Sequence, residues 1–312
     1  MSQADVWTFR KLVTWTTDFL AQKGADSPRL DAEILMAHAA NCSRVDVYMQ
    51  FDQTPTDEVR ATFRDFVRRR SLGEPVAYLV GKKEFYSLEF LVDPRVLIPR
   101  PETEQLVLET VEFIKKQENL FGKKTSDADQ TADAARAPWR ICDVGVGSGC
   151  ISVALAHNLR NVQIVGVDLS DDALALAEQN VAKHNLQQKI ELRHSDLLQN
   201  LPVPKCEEEM FDVIVSNPPY VSQVEYDALE PTVRNFEPQM ALLAGTTGAE
   251  LAQRLVVQVA DYLKTGGKLF LELSRATAPL LANDLNAAPI WRDVQILDDL
   301  AHVPRYVVAT RQ

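Results

Sequence analysis

The 312-residue sequence has no apolar stretch long enough to span a bilayer, and no basic-then-apolar leader follows Met1. Its first residues are also not Arg-rich in the manner of a mitochondrial transit peptide, so a cytoplasmic protein with no membrane role is expected. Cysteine is scarce. Cys42, Cys142, Cys150 and Cys206 show neither metal-ligand spacing nor a disulfide framework, and the five histidines are scattered, so no metal site is expected. Basic residues are outnumbered, with 33 Lys and Arg against 44 Asp and Glu and a formal charge of −11. A general nucleic-acid binder needs a basic footprint, so direct nucleic-acid binding is not expected either. What is present is the composition of an ordinary globular chain, 46% hydrophobic and 25% charged, long enough for two domains.

The texture changes twice along the chain. Residues 1–79 read as a small helical bundle. Leu12, Trp15, Phe19 and Leu20 share a helical face that ends at Gly24, and Ser27-Pro28 opens a second helix from Leu30 to Ala40. A third, Thr56 to Leu72, turns Val59, Phe63, Phe66 and Val67 inward; its Arg68-Arg69-Arg70 run reads as a solvated helix end, or else as a dock for an acidic partner. Residues 80–98 alternate and are aromatic-rich around Glu84 to Val92, which suggests a β-hairpin linker. Pro101 then suits the first position of a helix running to Lys116, and residues 117–138, polar and without period, read as a mobile insertion. From there strands and helices alternate to the end, which implies an α/β fold with a doubly wound, mostly parallel sheet over residues 99–312. The last two of its seven strands leave no room for a helix between them, so a closing hairpin places one antiparallel strand in the sheet.

One stretch organises this second domain. The apolar run Phe211 to Val215 reads as a buried strand, and Ser216-Asn217-Pro218-Pro219-Tyr220 follows it. Two prolines cannot continue a ladder, because each lacks an N–H and has a fixed φ. The strand must stop at its carboxyl end, the edge where open α/β sheets bind ligands. There Asn217 offers a side-chain carbonyl and Pro218 a backbone carbonyl, two acceptors suited to both hydrogens of a planar NH2 group. Pro219 stiffens the turn, and Tyr220 adds a flat face for stacking. Asn-Pro-Pro is also common turn punctuation, so these residues alone leave both readings open.

A nucleotide-type site earlier in the domain favours the functional reading. Asp143-Val144-Gly145-Val146-Gly147-Ser148-Gly149 joins a strand to a helix, and its glycines permit close backbone approach to a ligand. Asp168, at the end of the next strand, stands where an acid grips ribose hydroxyls. The dinucleotide spacing G-x-G-x-x-G is absent. A shorter loop suits a cofactor without phosphates, S-adenosyl-L-methionine, with Asp196 placed for the adenine amino group and Leu197 for the ring. Asp143 stands where it could orient the cofactor's amino group. A lone strand-end Asp is also an ordinary cap, and that alternative stays open for Asp196.

Several stretches together resemble the HemK/PrmC family of protein-(glutamine-N5) methyltransferases. They are Ser27-Pro28-Arg29-Leu30-Asp31-Ala32-Glu33, Arg69-Arg70 with Gly73-Glu74-Pro75, Gly81 with Glu84-Phe85-Tyr86, and Leu97-Ile98-Pro99-Arg100-Pro101-Glu102-Thr103-Glu104. The glycine loop, Asn217-Pro218-Pro219-Tyr220 and Phe236-Glu237-Pro238 with Ala241-Leu242 complete the set. The resemblance implies a Rossmann-like S-adenosylmethionine-methyltransferase sheet behind a substrate-recognising helical domain, acting as a monomer. It implies cofactor contacts at Asp143, Gly145, Val146, Gly147, Ser148, Gly149, Asp168, Asp196, Leu197 and Asn217, and substrate contacts at Asn217, Pro218, Pro219 and Tyr220, of which Asn217, Pro218 and Tyr220 are catalytic. The implied substrate is the glutamine of the Gly-Gly-Gln motif in class I peptide-chain release factors. A ribosomal-protein glutamine methyltransferase, a nucleic-acid adenine-N6 methyltransferase and a non-enzymatic cofactor-binding scaffold are the rivals. The sequence departs from the family at Val146, usually Thr, at Ser274, usually Gly, and over Gly245-Thr246-Thr247-Gly248.

Overall fold

A computed structural model describes residues 6–124 and 137–312. They form two compact units, one of residues up to Lys82 with Glu230–Phe236, the other of Lys83–Leu229 with Glu237–Gln312. The first is helical: α1 (Phe9–Gln22), α2 (Pro28–Ala39), α3 (Arg44–Met49), α4 (Asp57–Ser71) and α5 (Val76–Val80). Phe9, Val13, Leu35, Met36, Val47, Phe63, Val67 and Leu79 make its core. Trp15 was expected on the inward face of α1 but is 51% exposed; Leu20 is buried there as expected, together with Phe9, Val13 and Thr16. The arginine run is more engaged than a solvated helix end. Arg70 pairs with the largely buried Asp31 at 2.8 Å, and Arg69 pairs with Glu74. Within this unit Gly73 adopts φ +100°, and a Cβ there would stand 3.4 Å from the ring of Phe236, so two of the stretches that carry the family resemblance pack on each other.

The second unit opens with the hairpin of β1 (Lys82–Phe85) and β2 (Leu88–Leu91). Tyr86 and Ser87 take φ of +51° and +59°, as a two-residue turn matched to strand twist requires. Phe85 and Phe90 sink into the core beside Val111, Ile114 and Val153. Helix α6 (Thr103–Lys124) begins two residues after Pro101, which lies in the preceding turn, and continues past Lys116. Residues 117–124, expected in the mobile insertion, are therefore helical. Glu118 accepts the indole N–H of Trp139 at 3.2 Å, a tether invisible in a stretch without apolar period. Residues 125–136 of that expected insertion lie outside the described residues.

The main sheet has seven strands, β3 (Trp139–Val144), β4 (Val162–Asp168), β5 (Ile190–His194), β6 (Phe211–Ser216), β9 (Leu263–Glu272), β10 (Trp291–Asp298) and β11 (Pro304–Arg311), in the order β10-β11-β9-β6-β3-β4-β5. Its pairs are parallel except that β11 runs against both β9 and β10, so β11 is the single reversed strand that the closing hairpin implied. Strand β9 starts at Leu263 and passes through Gly266-Gly267 with an irregular register against β6. Helices α7 (Cys150–Asn158), α8 (Asp171–Lys183), α11 (Glu250–Tyr262) and α12 (Thr277–Ala287) cover the sheet; short α9 (Gln223–Ala228) precedes α11 in the chain, and α10 (Pro231–Arg234) belongs to the first unit. The chain leaves β3 toward β4 and β5, then returns to lay β6 on the other side of β3. This reversal makes the carboxyl ends of β3 and β6 the switch point where such sheets bind ligands.

One buried side chain ties the hairpin to that edge. Asn180 of α8 is fully buried; it accepts from Leu91 N at 2.7 Å and donates to Leu91 O at 3.0 Å and Ser148 O at 2.8 Å. Asn180→Ala strands one donor and two acceptors of the backbone, so a loss of about 2–4 kcal/mol is expected. Urea unfolding that shows a change under about 1 kcal/mol would mean that the three bonds are not maintained.

Candidate active site

The glycine loop is shaped by its backbone. Gly145, Gly147 and Gly149 have φ of +76°, +53° and +80°, and Gly145 N and Val146 N both donate to Val167 O, at 2.8 and 2.9 Å. A Cβ on Gly145 would meet nothing within 4 Å, so the loop has an open side. The side chain of Val146 is buried among Leu174, Ala177 and Leu192, in room left by the missing side chain of Gly166. Its backbone is the part left to face a ligand. Ser148 is buried too, with its carbonyl held by Asn180.

Asp168 stands where the loop and β4 meet. Its Oδ2 accepts from Gly147 N and its Oδ1 from Ser170 N, each at 2.9 Å, while burial raises its pKa. Asp143 is fully buried at the end of β3. Its Oδ2 takes both Ser152 N at 3.0 Å and Ser152 Oγ at 2.6 Å, its Oδ1 has no partner, and burial pushes its pKa up to about 7. Asp196 lies just beyond β5, and its Oδ2 is paired with Arg254 at 2.8 Å, a partner 58 residues away that no local pattern announces. Leu197 has φ +54° and packs partly against the apolar core under the loop. The set fits a phosphate-free nucleoside bearing hydroxyls and an ammonium group: an open glycine rim, carboxylates at two strand ends, an orphaned carboxylate oxygen, and no cationic side chain from Asp143 to Gly149.

The tetrad is fixed from both sides. Ser216 pairs with Val144 across the sheet, and its Oγ donates to Val144 O at 2.6 Å. Beyond the prolines, β7 (Val221–Ser222) pairs with β8 (Leu243–Gly245) in a separate small sheet. Asn217 is half-buried, and its Nδ2 donates to Thr103 Oγ1 at 3.0 Å. That bond commits the NH2 end of the amide and leaves Oδ1 as an acceptor. Pro218 is buried and Pro219 half-buried. Tyr220 packs partly on the core, and burial pushes its phenol up to about 12, so it stays neutral.

Residues that sequence reasoning did not single out complete the edge. Thr103 is buried at the start of α6, and Glu272 is 1% exposed at the end of β9. Arg100 pairs with the buried Glu237 at 2.6 Å, and the same carboxylate accepts from Ile98 N at 3.1 Å. Thr103 and Arg100 lie inside the Leu97 to Glu104 stretch and Glu237 inside Phe236 to Pro238, but their partners are separated from them by over a hundred residues. Ser274, the second departure, accepts at its Oγ from Thr277 N, the first residue of α12, at 3.1 Å. Among the described residues no helix is long and apolar enough to cross a membrane, and no cluster of His, Cys, Asp or Glu could hold a metal ion.

Gly248, in the third departure, is required by close approach. At φ +85°, a Cβ there would lie 2.5 Å from Tyr220 O and 3.2 Å from Ser222 N, whereas one on Gly266, at φ +78°, would meet nothing within 4 Å. Both Ala substitutions carry the left-handed penalty of about 1–2 kcal/mol, but only Gly248→Ala must also move the backbone of the tetrad. Gly248→Ala should therefore lower the unfolding temperature well beyond Gly266→Ala. Equal losses in a paired thermal scan would refute the close contact.

Comparison with known proteins agrees with this anatomy. Residues 11–81 match the PrmC N-terminal domain, and residues 115–236 match the Methyltransferase small domain. The release factor glutamine methyltransferase of Rhodopirellula baltica is 44% identical over 295 residues, covering 95% of this chain and 93% of its own length. That of Geobacter sulfurreducens is 38% identical over 86% of this chain and 85% of its own, and that of Chlorobaculum tepidum 36% identical over 98% of each. A crystal structure of the hMettl16 catalytic domain in complex with a MAT2A 3′UTR hairpin shares the fold, with a TM-score of 0.52 at 19% identity over 78% of this chain and 81% of that one. The helical first unit, the glycine loop and the Asn217 to Tyr220 tetrad all fall within the matched spans, and the chain belongs to the release factor glutamine methyltransferase family.

Proposed function

We propose that this chain is a cytoplasmic, monomeric enzyme that uses S-adenosyl-L-methionine to methylate N5 of the glutamine in the Gly-Gly-Gln motif of class I peptide-chain release factors. The observation that carries the proposal is the committed amide of Asn217. With Nδ2 given to Thr103, its Oδ1 and the carbonyl of Pro218 form a paired acceptor at the end of β6. A primary amide presents two N–H donors of matching geometry. Its nitrogen is a poor nucleophile, because its lone pair is shared with the carbonyl.

Bound S-adenosylmethionine supplies an electrophilic methyl group. Asp168, Asp143 and the backbone of Gly145 to Gly149 would hold the cofactor, with Asp196 and Leu197 at the adenine end. Asn217 and Pro218 accept the two N–H groups of the substrate, fix the nitrogen, and favour the positive charge that develops as it becomes tetrahedral. Tyr220 gives the amide plane a neutral aromatic face. The tetrad carries no strong base, so the proton departs to solvent after the new N–C bond has formed.

A Gly-Gly-Gln loop has almost no side-chain surface, so discrimination must come from elsewhere on the substrate. The first unit offers a groove of about 740 Å³ between α1 and α4, lined by Trp7, Trp15 and Phe19 on one side and Arg60, Arg64 and Arg68 on the other. Trp15 stacks on Phe19 with ring centroids 5.1 Å apart, and Trp7 meets Trp15 edge-on at 6.4 Å. Arg60 and Arg68 have acid partners in Asp57 and Asp65, and among the described residues Arg64 has none. Exposed tryptophans beside an unpaired arginine suit an apolar segment carrying acids on the folded release factor.

Labelled methyl transfer to a purified release factor, tested beside a ribosomal protein and adenine-containing DNA, checks the reading directly; transfer to either rival in preference to the release factor would overturn it. Asn217→Ala should leave cofactor affinity intact and lower kcat by about 10²–10³. Asp168→Ala should do the reverse, weakening cofactor binding by roughly 1.5–3 kcal/mol in calorimetry. Arg64→Glu, on an exposed helix face, should raise KM for the folded release factor about tenfold and leave a Gly-Gly-Gln peptide unaffected. Unchanged KM for the protein would exclude the groove from recognition.

A further inference from the structure

In the first unit two arginines share one buried acid. Glu33 of α2 has a side chain only 2% exposed, yet the side chains of Arg29 and Arg44, both bonded to it, are 51% and 49% exposed. Glu33 Oε1 accepts from Arg29 Nε and from the hydroxyl of Tyr48, and Oε2 accepts from Arg44 at 2.7 Å. Arg29 also donates to the Tyr48 oxygen at 3.4 Å. The remaining N–H groups of both guanidinium forks have no side-chain or backbone acceptor among the described residues. They border a depression of about 480 Å³ that Pro28 and Leu30 also line, and this lining shares no residue with the groove between α1 and α4.

One cation and the Tyr48 hydroxyl would suffice to offset a single buried carboxylate, so the second arginine exceeds that need. Two guanidinium groups and one carboxylate leave the lining with one net positive charge. Burial alone would raise the Glu33 carboxyl, and the donors from Arg29, Tyr48 and Arg44 hold it down to about 2, so the count is constant across the neutral range. The surface is also fixed in shape. Ser43 and Asp46 close a capping box at the start of α3, which sets Arg44 and Tyr48 four residues apart on the outward side of the helix. Val45 and Met49 beside them are exposed, while Val47 points into the core.

We propose that this surface is a second docking point for the folded release factor, and that it takes one carboxylate side chain flanked by apolar residues. The inference rests on the release-factor reading given above. A guanidinium fork matches the two oxygens of a carboxylate, and one excess charge matches a monoanion. A nucleic-acid backbone is the poorer match, because many phosphates would meet a single net positive charge on a chain of formal charge −11. Pro28 and Leu30 on one side, with Val45 and Met49 on α3, give the neighbours of that carboxylate an apolar rim that keeps water from the pair. Glu33 acts from behind. It holds each fork by one N–H and leaves the others outward, which lowers the entropy lost when a partner orders them.

The test is KM for a purified class I release factor, measured with the full chain at saturating cofactor over a series of salt concentrations. Arg44→Gln keeps an N–H for Glu33 and removes the charge. It should raise KM about five- to tenfold at low salt and flatten the salt dependence, with thermal unfolding confirming that the variant is folded. Glu33→Gln separates docking from neutralisation. If Arg44 served only to offset Glu33, replacing it would change nothing once Glu33 is uncharged. As part of a docking point it should still raise KM about five- to tenfold in the Glu33→Gln background. An unchanged KM in folded Arg44→Gln, or a loss that vanishes in that background, would overturn the proposal. Inhibition of the wild type by a short RNA, relieved by Arg44→Gln, would assign the surface to phosphate and overturn it as well. Should Glu33→Gln not fold, the salt series decides, since an Arg44→Gln loss that is the same at every salt concentration marks a structural effect and overturns the proposal. Failure of the wild type to methylate the release factor would instead overturn the reading it rests on.

Discussion

The place where β6 stops decides the rest of the edge. This strand lies in the middle of the sheet with β3 and β9 on its flanks, so its ladder would run on if the sequence let it. Pro218 and Pro219 do not, since neither has an N–H to give. The interruption frees the carbonyl of Pro218 from a strand partner and exposes Asn217 at the switch point. An interrupted strand would be loose without anchors, and it has one on each side. Ser216 Oγ holds Val144 O upstream, and Val221 N donates to Leu242 O at 3.0 Å downstream. The acceptors are thus rigid without being inside a ladder, the combination needed to hold a planar substrate group.

The same edge concentrates buried negative charge. Asp143, Asp168 and Glu272 sit at or within a residue of the ends of β3, β4 and β9, and burial raises the pKa of each. These acids differ in kind from the surface ion pairs of α4, which face water and contribute little to stability. Asp143 and Glu272 each leave one oxygen unpartnered, a cost that packing elsewhere must offset. A cationic cofactor and a nitrogen that turns positive during reaction are ligands that such an edge favours over anionic ones. The absence of a phosphate-sized basic cradle and the excess of buried acid are two aspects of one selectivity.

Much of this could be read in the sequence because it depends on local rules. Alternating strands and helices gave the doubly wound sheet, the prolines gave the end of β6, and the lack of a helix between the last strands gave the reversed β11. The glycine loop and Asp168 were legible because each lies at a strand end, and the structure joins them through Gly147 N. What was not legible depends on partners distant in sequence. Asn180 looks like a polar residue of an amphipathic helix, yet it is fully buried because the hairpin brings Leu91 to it. Trp15 misled through helical spacing, since the inward face of α1 is set by the neighbouring helices and an apolar residue beside that face remains outside. Residues 117–124 misled in the other direction, since α6 continues through a polar stretch without apolar period, where Glu118 is tethered to Trp139.

The departures from the family pattern follow the same distinction between support and contact. Val146 replaces a hydroxyl with a methyl where the side chain faces Leu174 and Ala177, and Gly166 leaves the space for it: a Cβ there would lie 2.9 Å from Val146 Cγ2. Ser274 adds a hydroxyl that accepts from Thr277 N in the turn leading into α12. In Gly245-Thr246-Thr247-Gly248 the last glycine approaches the Tyr220 backbone, and Thr247 N finds Glu250 Oε1 at 2.7 Å. In each case the changed side chain acts on the scaffold and the atoms aimed at a ligand are backbone or unchanged. A sequence can drift at such positions as long as every new polar group finds a partner and every close approach keeps its glycine.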